Sequence, residues 1–168
     1  MTPDADRLTH SAEDRRAVEA QLGRPLRGRW AVARRCHLGI PMVIENHPRL
    51  ESGEPFPTLF WLTCPILVKR SSRLEAGGHM DAVNSRIGRD GGARARLAGA
   101  IGRLRTRRDA LEPITDSGAP PGGGPQRVKC LHAHVAHELA DPPNPVGAEV
   151  LARAGFPDCT AACVSSRP

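Results

Sequence analysis

Between Arg29 and Thr63, apolar residues fall into three short groups separated by turn-forming residues. Trp30 and Val32 alternate with polar or small neighbours, the period of a strand with one buried face. Met42-Val43-Ile44 is a compact apolar run behind Pro41. Thr58 to Thr63 is rich in β-formers and has prolines on both sides. Gly39, Gly53 and the Pro55-x-Pro57 pair supply turns. The pattern predicts a three-stranded antiparallel meander, with Pro65 at the first position of a following helix. Phe56, Phe60 and Trp61 fall here in a chain with no Tyr, so much of the core is expected on this sheet.

Outside the meander the spacing turns helical. Ser11 to Asp14 has the form of a capping box for a helix to Leu22, stopped at Gly23. A helix is predicted over Pro65–Ala76, ended by Gly77-Gly78. Another covers about His79 to Arg89, with Met80, Val83 and Ile87 as its stripe. Gly91-Gly92 are expected to break the chain before a longer helix from Ala93 to Leu111. Residues Thr115 to Pro125 form a Gly/Pro loop. A helix is then expected over Gln126–Leu139, with Val128, Leu131, Val135 and Leu139 facing the core, and a last one over Pro145–Ala154. The class is α+β: a small antiparallel sheet of about three strands covered by about five helices. Residues 1–10 are expected to be disordered, 11–157 to form one domain, and 158–168 to be a flexible tail.

Composition alters this picture little. No apolar run could span a membrane and no leader-like segment opens the chain, so a cytoplasmic protein is expected. Five Cys at low density argue against a disulfide framework and for reduced thiols or ligands. The net charge is +6, and Arg is far commoner than Lys, a bias that GC-rich coding explains without nucleic acid. The charge is concentrated, however. Arg86 to Arg108 holds eight Arg and one Asp. Within it Arg96, Arg103 and Arg107 make a stripe able to track phosphate, of polyphosphate or nucleic acid. Without interleaved aromatics or a DNA-binding motif, nucleic acid is not the expected partner.

The candidate chemistry lies in cysteine and histidine. On a helix from Gln126, His132 falls with Val128 and Val135 on the core stripe. Cys130, His134 and His137 fall together on nearly the opposite face. Cys36 and Cys64 each end a predicted strand and could approach that helix. A zinc held by Cys36, Cys64, Cys130, His132 and His137 would then staple sheet to helix. The same residues allow a thiol nucleophile, with Cys130, Cys64 or Cys36 paired to His132 or His137. They also allow ordinary buried thiols and a hydrogen-bonded core histidine. Cys159 and Cys163, four apart in a non-helical tail, fix no geometry.

Several ordered blocks resemble one family. They are Arg35-Cys36-x-x-Gly39-x-Pro41-x-Val43-Ile44-Glu45, Pro55 through Pro65, Arg73-Leu74-Glu75-Ala76, and Arg107 through Ile114. Further blocks are Arg127-Val128-Lys129-Cys130-Leu131-His132 through His137, Asn144-Pro145-x-Gly147 and Cys163-Val164. Together they resemble the DUF501 family of actinobacterial proteins of unknown function. The chain departs from that pattern in using Phe60-Trp61 where tyrosines are usual, and in Gln126 and His134. The resemblance implies no activity. It implies a genomic link to an exopolyphosphatase-type phosphatase. The reading that results is an accessory or binding protein with a Cys/His-lined site, possible zinc included. The alternatives are a small thiol- or zinc-dependent enzyme and an anion-binding module built on the Arg86–Arg108 helix.

Overall fold

The computed structural model describes residues 8–114 and 122–164, and expectations for residues 1–7, 115–121 and 165–168 lie outside them. Helix α1 spans Ala12–Leu22. Ser11 caps it by accepting from the Asp14 amide at 3.0 Å, and Gly23 ends it in the left-handed conformation. Strands β1 (Trp30–Arg35), β2 (Pro41–Asn46) and β3 (Phe60–Leu62) form the predicted antiparallel meander in the order β1-β2-β3.

The central strand β2 is buried along its whole length, because both faces of the sheet are covered. Val32, Ile44 and Trp61 are cross-strand partners on one face, where Ile44 packs with Val18 of α1 and Trp30. Val43 opposite Leu62 and Glu45 opposite Phe60 fill the other face. Helix α5 (Leu131–Ala140) lies there, and its Leu131, Val135 and Ala136 join Val43, Phe60 and Leu62 in the main core. Each Val or Leu among them contributes about 1.5–3 kcal/mol when fully buried.

Helices α2 (Pro65–Ala76) and α6 (Pro145–Ala154) pack against α5, and α3 (His79–Arg89) and α4 (Gly91–Leu111) pack on each other and on α2 and α6. Among the described residues no helix is long and apolar enough to cross a membrane.

Two expectations need correction. Gly91 and Gly92 do not break the chain; they open α4, because the Asp90 side chain accepts from the Ala93 amide at 3.1 Å and caps the helix two residues earlier. Residues from Gln126 do not form one helix to Leu139. Strands β4 (Gly123–Gly124) and β5 (Arg127–Val128) make a small hairpin, and α5 starts only at Leu131. The glycines dictate this turn: Gly123 has φ +102°, and a Cβ there would lie 2.0 Å from the Arg127 carbonyl oxygen. Asn84 of α3 fastens the hairpin, accepting from the Val128 amide at 2.7 Å and donating to its carbonyl at 2.9 Å. Val128 reaches the core as expected, but from a strand.

Candidate metal site

The hairpin delivers Cys130 in an extended conformation to the N-terminus of α5, where the C-terminal turn of α2 lies alongside. Glu75, in that last turn, accepts from the Leu131 amide at 2.7 Å and so caps α5 across the helix joint. His132 Nδ1 stands 3.2 Å from Glu75 Oε1 and 3.7 Å from Cys130 Sγ. One donor atom from each of the three lies within 4.8 Å of the others, and all three side chains are part-exposed.

The His132 ring is fixed from its other side. Nε2 donates to the Val68 carbonyl at 3.1 Å and meets Ser72 Oγ at 3.1 Å, while Ser72 donates to the same carbonyl. With Nε2 spent on a backbone acceptor, Nδ1 faces Cys130 and Glu75. The hydrogen bond with Cys130, then the Glu75 carboxylate, hold His132 up at about 9 against the opposing effect of burial.

The other candidate residues are placed elsewhere. Cys64 caps the N-terminus of α2, whereas Glu75 is in its last turn, a separation of about 16 Å along the axis. Cys36, just after β1, lines one small cavity together with Cys64, Cys159 and Cys163. Burial pushes the Cys64 thiol up. Cys36 and Cys64 are therefore brought to each other, and Cys130 and His132 to each other, as two separate groups.

On α5, Leu131 and Val135 face the core as expected, but the histidines are placed opposite to expectation. His134 and His137 are each 2% exposed, and His132 is on the open side. Val128 and Cys130 lie ahead of the helix, and the Asn144 loop and Phe60 cover His134 and His137. Asn144, fully buried, accepts through Oδ1 from the Val146 and Gly147 amides, capping α6. Its Nδ2 therefore donates to Nδ1 of both His134 and His137, 3.0 Å from each. His134 donates its Nε2 proton to the Gly122 carbonyl at 3.1 Å, so both its nitrogens are engaged. His137 Nε2 is buried with no hydrogen-bond partner, and its nearest acid is Asp141 at 3.9 Å.

Two of the three stripe arginines are tied to the protein. Arg107 forms a bidentate pair with Glu45, and Arg103 bonds the Asp141 and Pro143 carbonyls. Arg96 is exposed beside a groove formed by α3, α4 and α6.

Glu75 entered the sequence reading only within a family block, with no ligand role. An acid in the last turn of a helix opposes the helix dipole, and that misfit was the available signal. Neither the curated proteins nor the solved structures contain a match to this chain. The family model described as "Protein of unknown function (DUF501)" matches residues 32–152, most of the chain, and the protein therefore belongs to that family.

Proposed function

We propose that the protein binds a divalent transition metal, zinc by its donor set, through Glu75 Oε1, Cys130 Sγ and His132 Nδ1. The convergence of these atoms carries the reading. Zinc bonds of about 2.3 Å to sulfur and about 2.0–2.1 Å to nitrogen and oxygen give tetrahedral edges of about 3.6 Å (S to N) and about 3.3 Å (N to O). The separations here are 3.7 and 3.2 Å, so these two edges already match those of a zinc site.

The surroundings match as well. Ligating histidines commonly donate their second nitrogen to a backbone carbonyl, which fixes ring and tautomer, and His132 does this to Val68. Three protein ligands on a part-exposed surface leave a fourth position for water or a small ligand. That coordination belongs to reactive zinc more than to closed structural sites, and it favours a zinc-dependent enzyme as the second reading. A thiol nucleophile fits less well. In a relay the imidazole uses one nitrogen for the nucleophile and the other for the acid, whereas here both partners stand at Nδ1.

The test is metal content of the untagged protein purified under reducing conditions, followed by zinc titration of Cys130→Ser and His132→Asn. One equivalent bound at this site and lost in each variant is expected. Retention of that equivalent in both variants, or no uptake at micromolar zinc, overturns the reading. If uptake fails while Cys130 alkylates rapidly, and His132→Asn slows that reaction, the thiol reading takes its place.

A further inference from the structure

At the far end of α2 from Glu75, the turn between β1 and β2, the start of α2 and the C-terminal segment enclose a cavity of about 20 Å³. Four of the five cysteines line it: Cys36, Cys64, Cys159 and Cys163. Leu38, Ile40, Met42 and Ile66 make its walls apolar. A space of this size holds one water-sized body and excludes an organic substrate. Cysteine is the commonest residue in its lining, and sulfur prefers soft cations.

A second observation concerns Gln21. Gln21 lines the same cavity. Its Nε2 donates to the Pro41 carbonyl at 2.8 Å and to Cys163 Sγ at 3.7 Å. Its Oε1 is buried with no hydrogen-bond partner. A buried oxygen without a donor is unfavourable, and a cation or a donor in the cavity would satisfy it.

We propose that this cavity is a second site, taking a single thiophilic d10 cation such as Zn²⁺ or Cd²⁺ through at least three of its four cysteine sulfurs. Two of the sulfurs sit on a fixed frame. The Cys36 amide bonds the Ile40 carbonyl at 2.9 Å and the Cys64 amide bonds the Met42 carbonyl at 3.2 Å, so both residues are anchored beside β2. The other two sit on a segment without helix or strand, held to the frame where His37 Nε2 donates to the Cys159 carbonyl at 2.7 Å. Among the described residues no three of these sulfurs are already within 4.8 Å of one another. Binding therefore draws the irregular segment inward and fastens the C-terminus to the sheet.

The test titrates Cd²⁺ into the full-length, reduced and metal-free chain and follows sulfur-to-cadmium charge-transfer absorbance. Cys130→Ser/His132→Asn, which disables the α2–α5 site, should keep one equivalent with multi-thiolate absorbance. Cys159→Ser/Cys163→Ser should bind that equivalent about 100-fold more weakly or not at all, and Cys36→Ser should weaken it too. The tail variant's melting temperature without metal should match the wild type, since neither cysteine belongs to the core. Loss of all thiolate absorbance in Cys130→Ser/His132→Asn, or undiminished absorbance in Cys159→Ser/Cys163→Ser, overturns the proposal. Cavity cysteines found as disulfides in the reduced protein overturn it as well. Because the two variants disable different sites, failure of either metal site leaves the other's result readable.

Discussion

Arg107 and Glu45 meet fork to fork: Nε and Nη2 of the arginine lie 2.8 and 2.9 Å from the two carboxylate oxygens. Glu45 is 5% exposed on β2, so this pair bolts α4 to the sheet, and the guanidinium also lies over the Phe60 ring at 5.2 Å. Removing one partner of a buried pair leaves the other charge desolvated. Arg107→Ala is therefore expected to cost about 3 kcal/mol, the low end of the range because Arg107 is a third exposed. Arg107→Met/Glu45→Met should recover much of that loss. Urea unfolding of both variants checks the order. A double variant no more stable than the single one would mean that the pair itself is not what the fold depends on.

His137 makes stability depend on pH. Burial beneath Phe60, with Arg103, His134 and Arg107 nearby and only Asp141 opposing them, holds the imidazole down at about 4. Its ordinary value is near 6.5. Between those values the unfolded chain takes up a proton that the folded chain refuses, so stability falls as pH drops through the window. It levels off below about 4, where both states are protonated. From this residue alone the loss is at most about 3 kcal/mol. Unfolding free energies measured from pH 7 to pH 4 should decline for the wild type and decline less for His137→Gln. Parallel slopes would place the pH dependence elsewhere.

Where one local rule acted alone, the sequence was readable. The Ser11 cap, the left-handed Gly23, Pro65 at the start of α2 and the strand alternation of Trp30 and Val32 each needed no distant partner. The region around Gln126 was not readable. Val128, Leu131 and Val135 have helical spacing, yet backbone pairing across Gly123 and the clasp of Asn84 pull Val128 into a strand. The later start leaves Cys130 extended ahead of the helix and beside His132, and so makes the candidate site. Cys130 and His132 were within reach of sequence reasoning. Glu75 showed only as an acid in the last turn of a helix, and its meeting with them depends on α2 and α5 lying side by side. The arginine stripe misled in a related way. The spacing of Arg103 and Arg107 is periodic, but their acceptors, Glu45 and the Asp141 and Pro143 carbonyls, are remote in sequence.

Two glycines in helices should respond oppositely to the same substitution. Gly147 sits where α6 crosses α5, and a Cβ there would lie 2.1 Å from the His134 carbonyl oxygen and 2.6 Å from Glu138 Cβ. Gly147→Ala must push the helices apart and strain the Asn144 network, at a cost of about 3 kcal/mol. Gly99 is exposed in α4, with nothing within 4 Å of the added Cβ. Gly99→Ala should therefore stabilise by up to about 1 kcal/mol through helix propensity and reduced freedom of the unfolded chain. Thermal melts of the two variants, one below and one above the wild type, are the expected result.

Glu75 has two roles that can be separated. Its Oε1 caps α5 through the Leu131 amide, and its charge faces His132 and the proposed ion. Glu75→Gln keeps an oxygen able to accept from Leu131 but removes the charge. Metal-free stability should then change by no more than about 0.5 kcal/mol, since Glu75 and His132 are both part-exposed and their attraction is screened by solvent. Zinc affinity should fall at least about tenfold, because a neutral amide oxygen is a poor zinc ligand. Glu75→Ala loses the cap as well, and should cost about 1 kcal/mol before any metal is added. Chemical unfolding with and without zinc distinguishes the outcomes. If zinc stabilises Glu75→Gln as much as the wild type, Glu75 serves only as a cap and the ion rests on Cys130 and His132.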